Sequence, residues 1–279
     1  MKKIKIVTDS SCNMDYELAE KLGIHIVSLS VMIDDIIYKD MDLTGQKFME
    51  MMSQSHALPK TSQPPIGEFV ELYDELGQDG SEVLSIHMNE ILSGTVSAAR
   101  QAAQITKTNV TVIDSKFTDQ ALAFQVVKAA EMAEAGSTMA EILAELEKVK
   151  ENTLLYIGVA SLDNLVKGGR ISRATGILSN IFNIRVVMQL LDSELVTQAK
   201  GRGAKAFNKW FAEMKESISH LNQVKKIGLT HADGLATAEA FATSLKELFP
   251  AAEITIREAN SIIATHTGSG AFAIMIYSE

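Results

Sequence analysis

Short apolar runs alternate with amphipathic segments through the first half of this 279-residue chain. Runs rich in β-branched residues at 4–8 and 83–87 stop at polar residues, and helix-forming stretches such as 95–105 follow them. Strands that alternate with helices in this way are typical of a parallel sheet covered on both faces. We therefore predict an α/β chain whose N-terminal domain, residues 1–152, is a three-layer α/β/α structure with a mainly parallel sheet.

Capping and breaking residues set the predicted boundaries of these elements. Asn13 is predicted to cap a helix that Gly23 closes, and Thr138 with Glu141 is predicted to form a capping box. A helix over 64–76 tolerates Pro near its first turn because no N–H is needed there. The predicted strands are 4–8, 24–31, 83–87 and 110–113, with a hairpin at 36–38, and the predicted helices are 13–22, 45–52, 64–76, 95–105, 119–135 and 140–149.

The second half of the chain has a different pattern, because strand-like runs outnumber long helices. This favours a mixed, partly antiparallel sheet. Asp192-Ser193 separates two of the runs and predicts a tight hairpin. We predict a C-terminal α/β domain with a mixed sheet over residues 153–279. Its predicted strands are 154–159, 185–191, 194–199, 226–230, 253–258 and 271–277, and its predicted helices are 203–218 and 236–248.

Composition and charge narrow the function. Hydrophobic residues make up 46% of the chain and charged residues 22%, which favours a packed core over disorder. The net charge of −9 argues against a general nucleic-acid binder. Cys12 is the only cysteine, which excludes an intrachain disulfide. No apolar run approaches the roughly 20 residues of a membrane span, and no signal-peptide pattern is present. The lone cysteine favours a reducing compartment, so we expect a cytoplasmic protein.

Three hydroxyl-rich segments carry the candidate chemistry: 61–64, 93–95 and 265–268, each predicted to be a loop. Ser and Thr in such places often only cap helices, but three segments together favour a ligand site. Gly94 strengthens this reading, because a residue without Cβ lets a ligand approach the backbone. His266 is predicted either to be structural or to hydrogen-bond a carboxylate. Neutral donors with few charges suit a small anionic or carbonyl group held without a metal.

A basic stretch from Lys167 to Lys209 contrasts with the acidic chain. It holds eight Lys and Arg residues against Asp192 and Glu194, a local balance of +6. The stretch is predicted to be a docking patch for an acidic partner or phosphoryl group, or else a solvated face. The Gly168-Gly169-Arg170 tripeptide, taken alone, predicts a turn that ends a helix.

Several catalytic motifs are absent from the sequence. It contains no Walker A, GxGxxG, GxSxG or HExxH pattern and no cysteine pair. Ser93 has no neighbouring base in the sequence, so a serine hydrolase lacks support. We therefore expect no catalytic residue, no metal and no cofactor.

Five segments in a characteristic order give the chain a family resemblance. They are Ile6-Val7-Thr8-Asp9-Ser10-Ser11, Thr61-Ser62-Gln63-Pro64, Leu92-Ser93-Gly94-Thr95, Leu162 with Gly168-Gly169-Arg170-Ile171-Ser172, and His266-Thr267-Gly268-Ser269-Gly270-Ala271. Together they resemble the DegV family over essentially the whole chain. The resemblance implies two α/β domains that bury the acyl chain of a long-chain fatty acid. It also implies a carrier, not an enzyme: a separate ATP-dependent kinase subunit phosphorylates the bound carboxylate to an acyl phosphate for phospholipid synthesis.

The resemblance also assigns roles to individual residues. Thr61, Ser93 and His266 match the residues that hold the fatty acid carboxylate. Residues beside them are expected to contribute: Ser62, Gly94, Thr95 and Thr267. Arg170 matches the arginine of the family's Gly-Gly-Arg segment. From the charge of the basic stretch, three of its four arginines are expected to dock the kinase or to be structural: Arg170, Arg173 and Arg202. The chain departs from the family pattern twice, with Lys200-Gly201-Arg202 where relatives have Arg-x-Arg and with Ser269 where Pro is common.

The sequence leaves two rival functions open. One is a stand-alone phosphotransferase of the dihydroxyacetone-kinase type, and the other is a hydrolase that uses Ser93. A co-purified fatty acid favours the carrier, whereas ATP turnover without a partner favours the kinase. The carrier interpretation includes transient contact with a membrane surface for lipid exchange, without a membrane span.

Overall fold

The computed structural model describes residues 3–175, 184–191, 194–203 and 205–279. The chain forms two compact units. Unit 1 consists of Met1–Ser30, Lys39–Met41 and Ser62–Glu151, and unit 2 consists of Val31–Tyr38, Asp42–Thr61 and Asn152–Glu279. The sequence predicts one division of the chain, at residue 152. That division assigns Val31–Tyr38 and Asp42–Thr61 to the N-terminal domain, whereas both segments belong to unit 2.

Strands and helices follow one another along the whole chain. In order they are β1 (Ile4–Asp9), α1 (Tyr16–Lys21), β2 (Ile24–Val27), β3 (Ser30–Ile33), β4 (Ile36–Lys39), α2 (Gly45–Gln54), β5 (Lys60–Ser62), α3 (Ile66–Leu76), β6 (Glu82–His87), α4 (Thr95–Ile105), β7 (Val110–Asp114), α5 (Asp119–Glu134), α6 (Met139–Glu151), β8 (Thr153–Val159), α7 (Asp163–Lys167), β9 (Ala174–Thr175), β10 (Arg185–Leu190), β11 (Leu195–Gly201), α8 (Lys205–Ile218), β12 (Val224–His231), α9 (Leu235–Leu248), β13 (Glu253–Glu258), α10 (Ser261–Thr267) and β14 (Phe272–Ser278).

Unit 1 is built on a four-stranded parallel sheet in the order β2-β1-β6-β7. On one face, Phe69 and Tyr73 of α3 and Ala98 of α4 pack against Val7 and Val83 of the sheet. Helix α5 packs against β1 and β6, and α6 packs against α5. The predicted parallel sheet is confirmed. The predicted α/β/α layering follows from β-branched strands that bury both faces.

The capping predictions in unit 1 have mixed outcomes. Thr138 N–H donates to Glu141 Oε2 at 2.8 Å and Glu141 N–H donates to Thr138 Oγ1 at 3.3 Å, so the capping box is confirmed. The Asn13 cap is wrong, because Asp15 accepts from the first N–H groups of α1. Asn13 instead has φ of 46° and closes the 3-10 helix Ser10–Cys12.

The predicted strand 24–31 is divided into β2 and β3 in the structure. Ser28 Oγ donates to the carbonyl of Leu29 at 2.9 Å, and Leu29 N–H donates to Ser10 Oγ at 3.1 Å. These bonds turn the backbone of 28–29 away from a strand ladder. Strand β3 then forms a small sheet in the order β4-β3-β5, which includes the predicted hairpin at 36–38.

Unit 2 is built on a seven-stranded mixed sheet in the order β13-β12-β14-β8-β10-β11-β9. The β12–β13 and β11–β9 pairs are parallel, and the other described pairs are antiparallel, so the predicted mixed sheet is confirmed. Its core is aromatic: Phe211 of α8 stacks on Phe241 of α9 with ring centroids 4.0 Å apart. The predicted Asp192-Ser193 turn lies outside the described residues. Within the described ranges, no helix is both long and apolar enough to cross a membrane.

Candidate functional site

A hydrogen-bonded pair in unit 2 joins two of the predicted ligand residues. Thr61 Oγ1 and His266 Nε2 lie 2.8 Å apart, although 205 residues separate them in the chain. Both side chains are half-buried. Thr61 lies in the middle of β5, and His266 lies in the last turn of α10. The pair therefore joins a strand residue and a helix residue of the same unit.

The prediction that residues 61–64 and 265–268 are loops is wrong in part. Thr61 and Ser62 belong to a short strand, and 265–267 belong to a helix. Asn260 starts this helix by accepting from Ile263 N–H at 3.0 Å. The Thr and Gly residues near the end of this helix resemble loop residues. The first turn of the helix, 261–264, nevertheless contains the buried Ile262 and Ala264.

His266 is held in its neutral form. Burial, and then the positive charge of Arg170, lower the pKa of His266 to about 4. At neutral pH the ring therefore carries a single N–H, either at Nδ1 or at Nε2. Nε2 bonds Thr61, whereas Nδ1 is buried without a hydrogen-bond partner among the described residues. Buried polar atoms are usually paired, so this open nitrogen marks an incomplete network.

The Gly168-Gly169-Arg170 segment encloses the imidazole of His266. Helix α7 ends at Lys167 with Gly168 as its C-cap, and Gly169 follows with φ of 74°, so the predicted helix-ending turn is confirmed. A Cβ at position 168 would collide with His266 Nδ1, which explains why glycine suits this position. Arg170 is half-buried and donates from Nη1 to the carbonyl of Gly168 at 2.8 Å.

Asn164 is a site residue that sequence reasoning missed. Its Nδ2 donates to the carbonyl of Thr265 at 2.9 Å, and its side chain lies against Gly268, which has φ of 75°. Asn164 thereby ties α7 to the end of α10 beside His266. An Asn in a polar helical stretch resembles a surface residue, and its separation of about a hundred residues from Thr265 gives no local signal.

Two threonines beside His266 use their hydroxyl protons inside α10. Thr265 Oγ1 donates to the carbonyl of Ser261 at 2.7 Å, and Thr267 Oγ1 donates to the carbonyl of Ile263 at 2.9 Å. A carboxylate needs hydrogen-bond donors, and these two hydroxyls already donate to backbone carbonyls one turn earlier. Thr267 therefore stands beside the pair without offering it a free donor.

The Ser93 segment lies in unit 1, between β6 and α4. Ser93 Oγ and Thr95 Oγ1 are 2.9 Å apart, and Thr95 N–H donates to Ser93 Oγ at 3.4 Å. The side chain of Gln63 occupies the space that a Cβ on Gly94 would need. Ser62 is exposed. Ser93 Oγ thus bonds the hydroxyl and the N–H of Thr95, neither of which is a base, and this gives a hydrolase mechanism at Ser93 no support.

The predicted docking arginines differ in environment. Arg202 is exposed directly after β11, whereas Arg170 is half-buried beside His266. Arg173 ends the 3-10 helix Ile171–Arg173, and its side chain lies outside the described part of the chain.

A second polar network, which the sequence did not suggest, is sealed inside unit 1. Ser85 Oγ lies 2.7 Å from His87 Nε2, and His87 Nδ1 lies 3.0 Å from Asp9 Oδ2. This is the bonding order of a Ser-His-Asp triad. Asp9, Ser85 and His87 are all 0% exposed, however, and Tyr73 OH bonds Ser85 at 2.7 Å. No substrate reaches Ser85 in this arrangement, so the network is structural.

The part of the chain that the structure describes contains no cluster of side chains suited to a metal ion. No group of three or more His, Cys, Asp or Glu side chains there is arranged to hold a metal ion. Cys12 is buried, and burial followed by the charge of Asp9 raises the pKa of its thiol. A thiol of raised pKa is a poor nucleophile and a poor metal ligand.

Comparison with known proteins places the chain among relatives of the same length. The DegV family model matches residues 3–279. A DegV domain-containing protein of Streptococcus pneumoniae is 52% identical, with 99% of each chain covered. The crystal structure of DegV, a fatty acid binding protein from Bacillus subtilis, has a TM-score of 0.91 at 30% identity and covers 100% of both chains. A DegV family protein from Thermus thermophilus, described by its fatty acid binding, has a TM-score of 0.91 at 28% identity over 99% of this chain and 100% of its own. The chain therefore belongs to the DegV family.

Proposed function

We propose that this protein binds a long-chain fatty acid and presents its carboxylate to a separate ATP-dependent kinase subunit. The product is an acyl phosphate that serves phospholipid synthesis. Thr61, Ser93 and His266 are the proposed ligands of the carboxylate. The fatty acid binding of the Bacillus subtilis and Thermus thermophilus proteins supports the first half of this proposal. In it the chain is a carrier and not a complete enzyme.

The neutral Thr61–His266 pair is the observation that carries the proposal. With the proton on Nε2, the imidazole donates to Thr61 Oγ1 across their 2.8 Å separation. The hydroxyl of Thr61 is then free to donate its own proton to a carboxylate oxygen. A carboxylate that loses water needs such donors, because burial of an unpaired ion is very costly. The nearby guanidinium of Arg170 adds a favourable charge.

The acyl chain supplies most of the affinity in this proposal. Each buried CH₂ group contributes about 0.8 kcal/mol. A long chain therefore offsets the desolvation of the carboxylate, and the polar residues need only hold the head group in place.

The proposed phosphoryl transfer needs no nucleophile from this chain. A carboxylate oxygen of the fatty acid attacks the γ-phosphorus of ATP on the kinase subunit. The bond from that phosphorus to the bridging oxygen breaks, and ADP leaves. The carboxylate is already deprotonated at neutral pH, so no general base is required.

The arginines divide the remaining tasks in the proposal. Arg202 is exposed and suits docking to an acidic face of the kinase. Charges at the rim of an interface mainly affect the association rate and its salt dependence. Arg170 bonds the Gly168 carbonyl and adjusts His266, which suits a role at the head group more than a docking role.

Mass spectrometry of lipids extracted from the purified protein tests the proposal. The expected result is a co-purified long-chain fatty acid in wild type and a reduced amount in Thr61→Val and His266→Ala. Addition of a family kinase subunit and ATP should then yield ADP only in the presence of lipid-loaded carrier. ATP turnover by the carrier alone, or a lipid-free protein that takes up no fatty acid, would contradict it.

A further inference from the structure

The turn that carries Ser93 is organised around one buried amide, Asn89. This residue is 0% exposed and lies two positions after the end of β6. Its Oδ1 accepts from Ile91 N–H at 3.0 Å. Its backbone carbonyl accepts from Leu92 N–H at 3.0 Å and from Ser93 N–H at 3.3 Å. Three successive N–H groups of the turn therefore point at Asn89.

Asn89 is itself fixed to a neighbouring segment of unit 1. Its Nδ2 donates to the carbonyl of Lys116 at 2.9 Å, and its N–H donates to the carbonyl of Phe117 at 2.7 Å. Lys116 and Phe117 follow β7, which pairs with β6 in the sheet. The turn of Ser93 is thus anchored to the end of the adjacent strand.

The sealed Asp9–His87 network holds the residue just before Asn89. Asp9 Oδ2 accepts from Met88 N–H at 3.0 Å as well as from His87. Asp9 Oδ1 accepts from the N–H and the hydroxyl of Ser11 at 3.1 and 2.6 Å. The carboxylate is therefore bonded on both oxygens, and it fixes the backbone from which the Asn89 turn departs.

We infer that Asn89 is a positioning residue for Ser93: its side chain sets the turn that aims the Ser93 hydroxyl. The inference rests on the proposed role of Ser93 in fatty acid binding. Hydroxyl direction matters there because a hydrogen bond weakens steeply as its angle departs from linear. Asn89 touches no ligand in this account and acts through Ser93 alone.

A double-mutant cycle on fatty acid affinity tests the inference. Titration of delipidated protein with a fluorescent long-chain fatty acid gives the dissociation constant for wild type, Ser93→Ala, Asn89→Ala and the double variant. Loss of one donor to a buried anion corresponds to roughly 5- to 150-fold weaker binding for Ser93→Ala. Asn89→Ala should weaken binding by a comparable factor in wild type and by less than about twofold in the Ser93→Ala background.

Gln125→Ala is the matched control for a general loss of stability. Gln125 is 1% exposed, and its Nε2 donates at 2.9 Å to the carbonyl of Ser115, in the same segment that anchors Asn89. Its loss should lower the melting temperature while the dissociation constant stays at the wild-type value. If Asn89→Ala does not fold, Asn89→Ser carries the test. Its hydroxyl still accepts from the N–H two residues on, so it should bind within about twofold of wild type, and a loss as large as that of Ser93→Ala would overturn the inference.

The outcomes separate this inference from the function on which it rests. If Ser93→Ala binds the probe as wild type does, the proposed role of Ser93 fails and the inference fails with it. If Ser93→Ala weakens binding while Asn89→Ala does not, only the inference is overturned. An equal effect of Asn89→Ala in both backgrounds overturns it too, because Asn89 then acts independently of Ser93.

Discussion

Each unit contains a hydrogen-bonded histidine, and the two differ in how many of their ring nitrogens are used. His87 in unit 1 bonds Asp9 through Nδ1 and Ser85 through Nε2, and it is 0% exposed. His266 in unit 2 bonds Thr61 through Nε2, while its buried Nδ1 has no partner in the described chain. One network is complete in itself, and the other leaves hydrogen-bonding capacity unused.

This difference separates structural from functional polar groups. A fully bonded buried network rigidifies the fold, and its loss leaves several polar groups unsatisfied. A half-buried network with a buried polar atom left unbonded lowers stability, unless a ligand supplies the missing hydrogen bond. The Ser85–His87–Asp9 chain has the bonding order of a catalytic triad and yet no access, whereas the sparser Thr61–His266 pair is the site proposed to hold the carboxylate. The predictions below test this contrast.

Asp9→Ala should have the largest effect of these variants. It removes the acceptor of His87, Met88 N–H and both donors of Ser11, all in a sealed interior. The expected loss of unfolding free energy is about 3–5 kcal/mol, measured by urea denaturation. Glu90→Ala is the control, because Glu90 pairs with Arg100 at 3.0 Å with nearly half of its side chain exposed. Its loss should cost less than about 1 kcal/mol. Equal effects would show that the sealed network is not special.

Gly168→Ala should disturb the open network by steric collision. The new methyl group would meet His266 Nδ1 and the carbonyl of Asn164, so the ring or helix α7 must shift. Overpacking of this kind costs about 1–3 kcal/mol of stability. The ring resonances of His266 in NMR spectra should move as well. Gly67→Ala in α3 has open space around its Cβ and should be neutral or stabilising by up to about 1 kcal/mol. Unchanged His266 resonances in Gly168→Ala would refute the packing argument.

Thr61→Val should weaken fatty acid binding while the shape of the side chain is kept. The variant lacks the hydroxyl that is proposed to donate to the carboxylate, a loss of about 1–3 kcal/mol in binding free energy. Thr61→Ser keeps the hydroxyl and should bind more tightly than Thr61→Val. Titration calorimetry with a long-chain fatty acid measures both. Thr243→Val serves as the control, since Thr243 Oγ1 bonds the carbonyl of Glu239 at 2.9 Å within α9. Affinity that is equal in all four proteins would exclude Thr61 as a ligand.

The smallest expected effect is a change in the pKa of His266 when Arg170 is replaced. NMR titration of labelled histidine should give a pKa of about 4 in lipid-free protein. Arg170→Gln should raise this pKa, because a positive charge that opposes the imidazolium is removed, yet burial, the larger cause, should keep it below the usual value. Since the unfolded ring takes up its proton at higher pH than the folded ring, His266 should reduce stability as pH falls from about 6.5 towards 4. A pKa that Arg170→Gln leaves unchanged would contradict this.

Local patterns predicted the elements well where one pattern dominated. Helix α4 begins and ends where its Ala-rich stretch does, and the Thr138–Glu141 box forms as predicted. Competing caps were harder, since Asn13 and Asp15 both suit a helix start and only Asp15 is used there. The sequence predicts a loop at 265–267 because Thr265, Thr267 and the following Gly268 resemble turn residues, although tertiary contacts with α2 and α7 support a helix.

The candidate site was only partly accessible from sequence. Family motifs brought Thr61 and His266 forward, and the structure then gave their 2.8 Å contact. The role of Gly168 in making room for an imidazole depends on a ring almost a hundred residues away. The Asn164 bond to Thr265 also joins residues about a hundred positions apart. The sealed network joins Asp9 of β1 to His87 and Ser85 of the parallel strand β6, and through Ser85 to Tyr73 of α3. No local pattern encodes contacts of this kind, because they arise from strand order.

The most direct test of the central claim is carbon-13 NMR of a carboxyl-labelled long-chain fatty acid bound to the delipidated protein. The account predicts a bound carboxylate resonance, distinct from free lipid, that shifts in Thr61→Val, Ser93→Ala and His266→Ala. A resonance that is identical in all three variants and wild type, or the absence of a bound resonance at saturating protein, would contradict it.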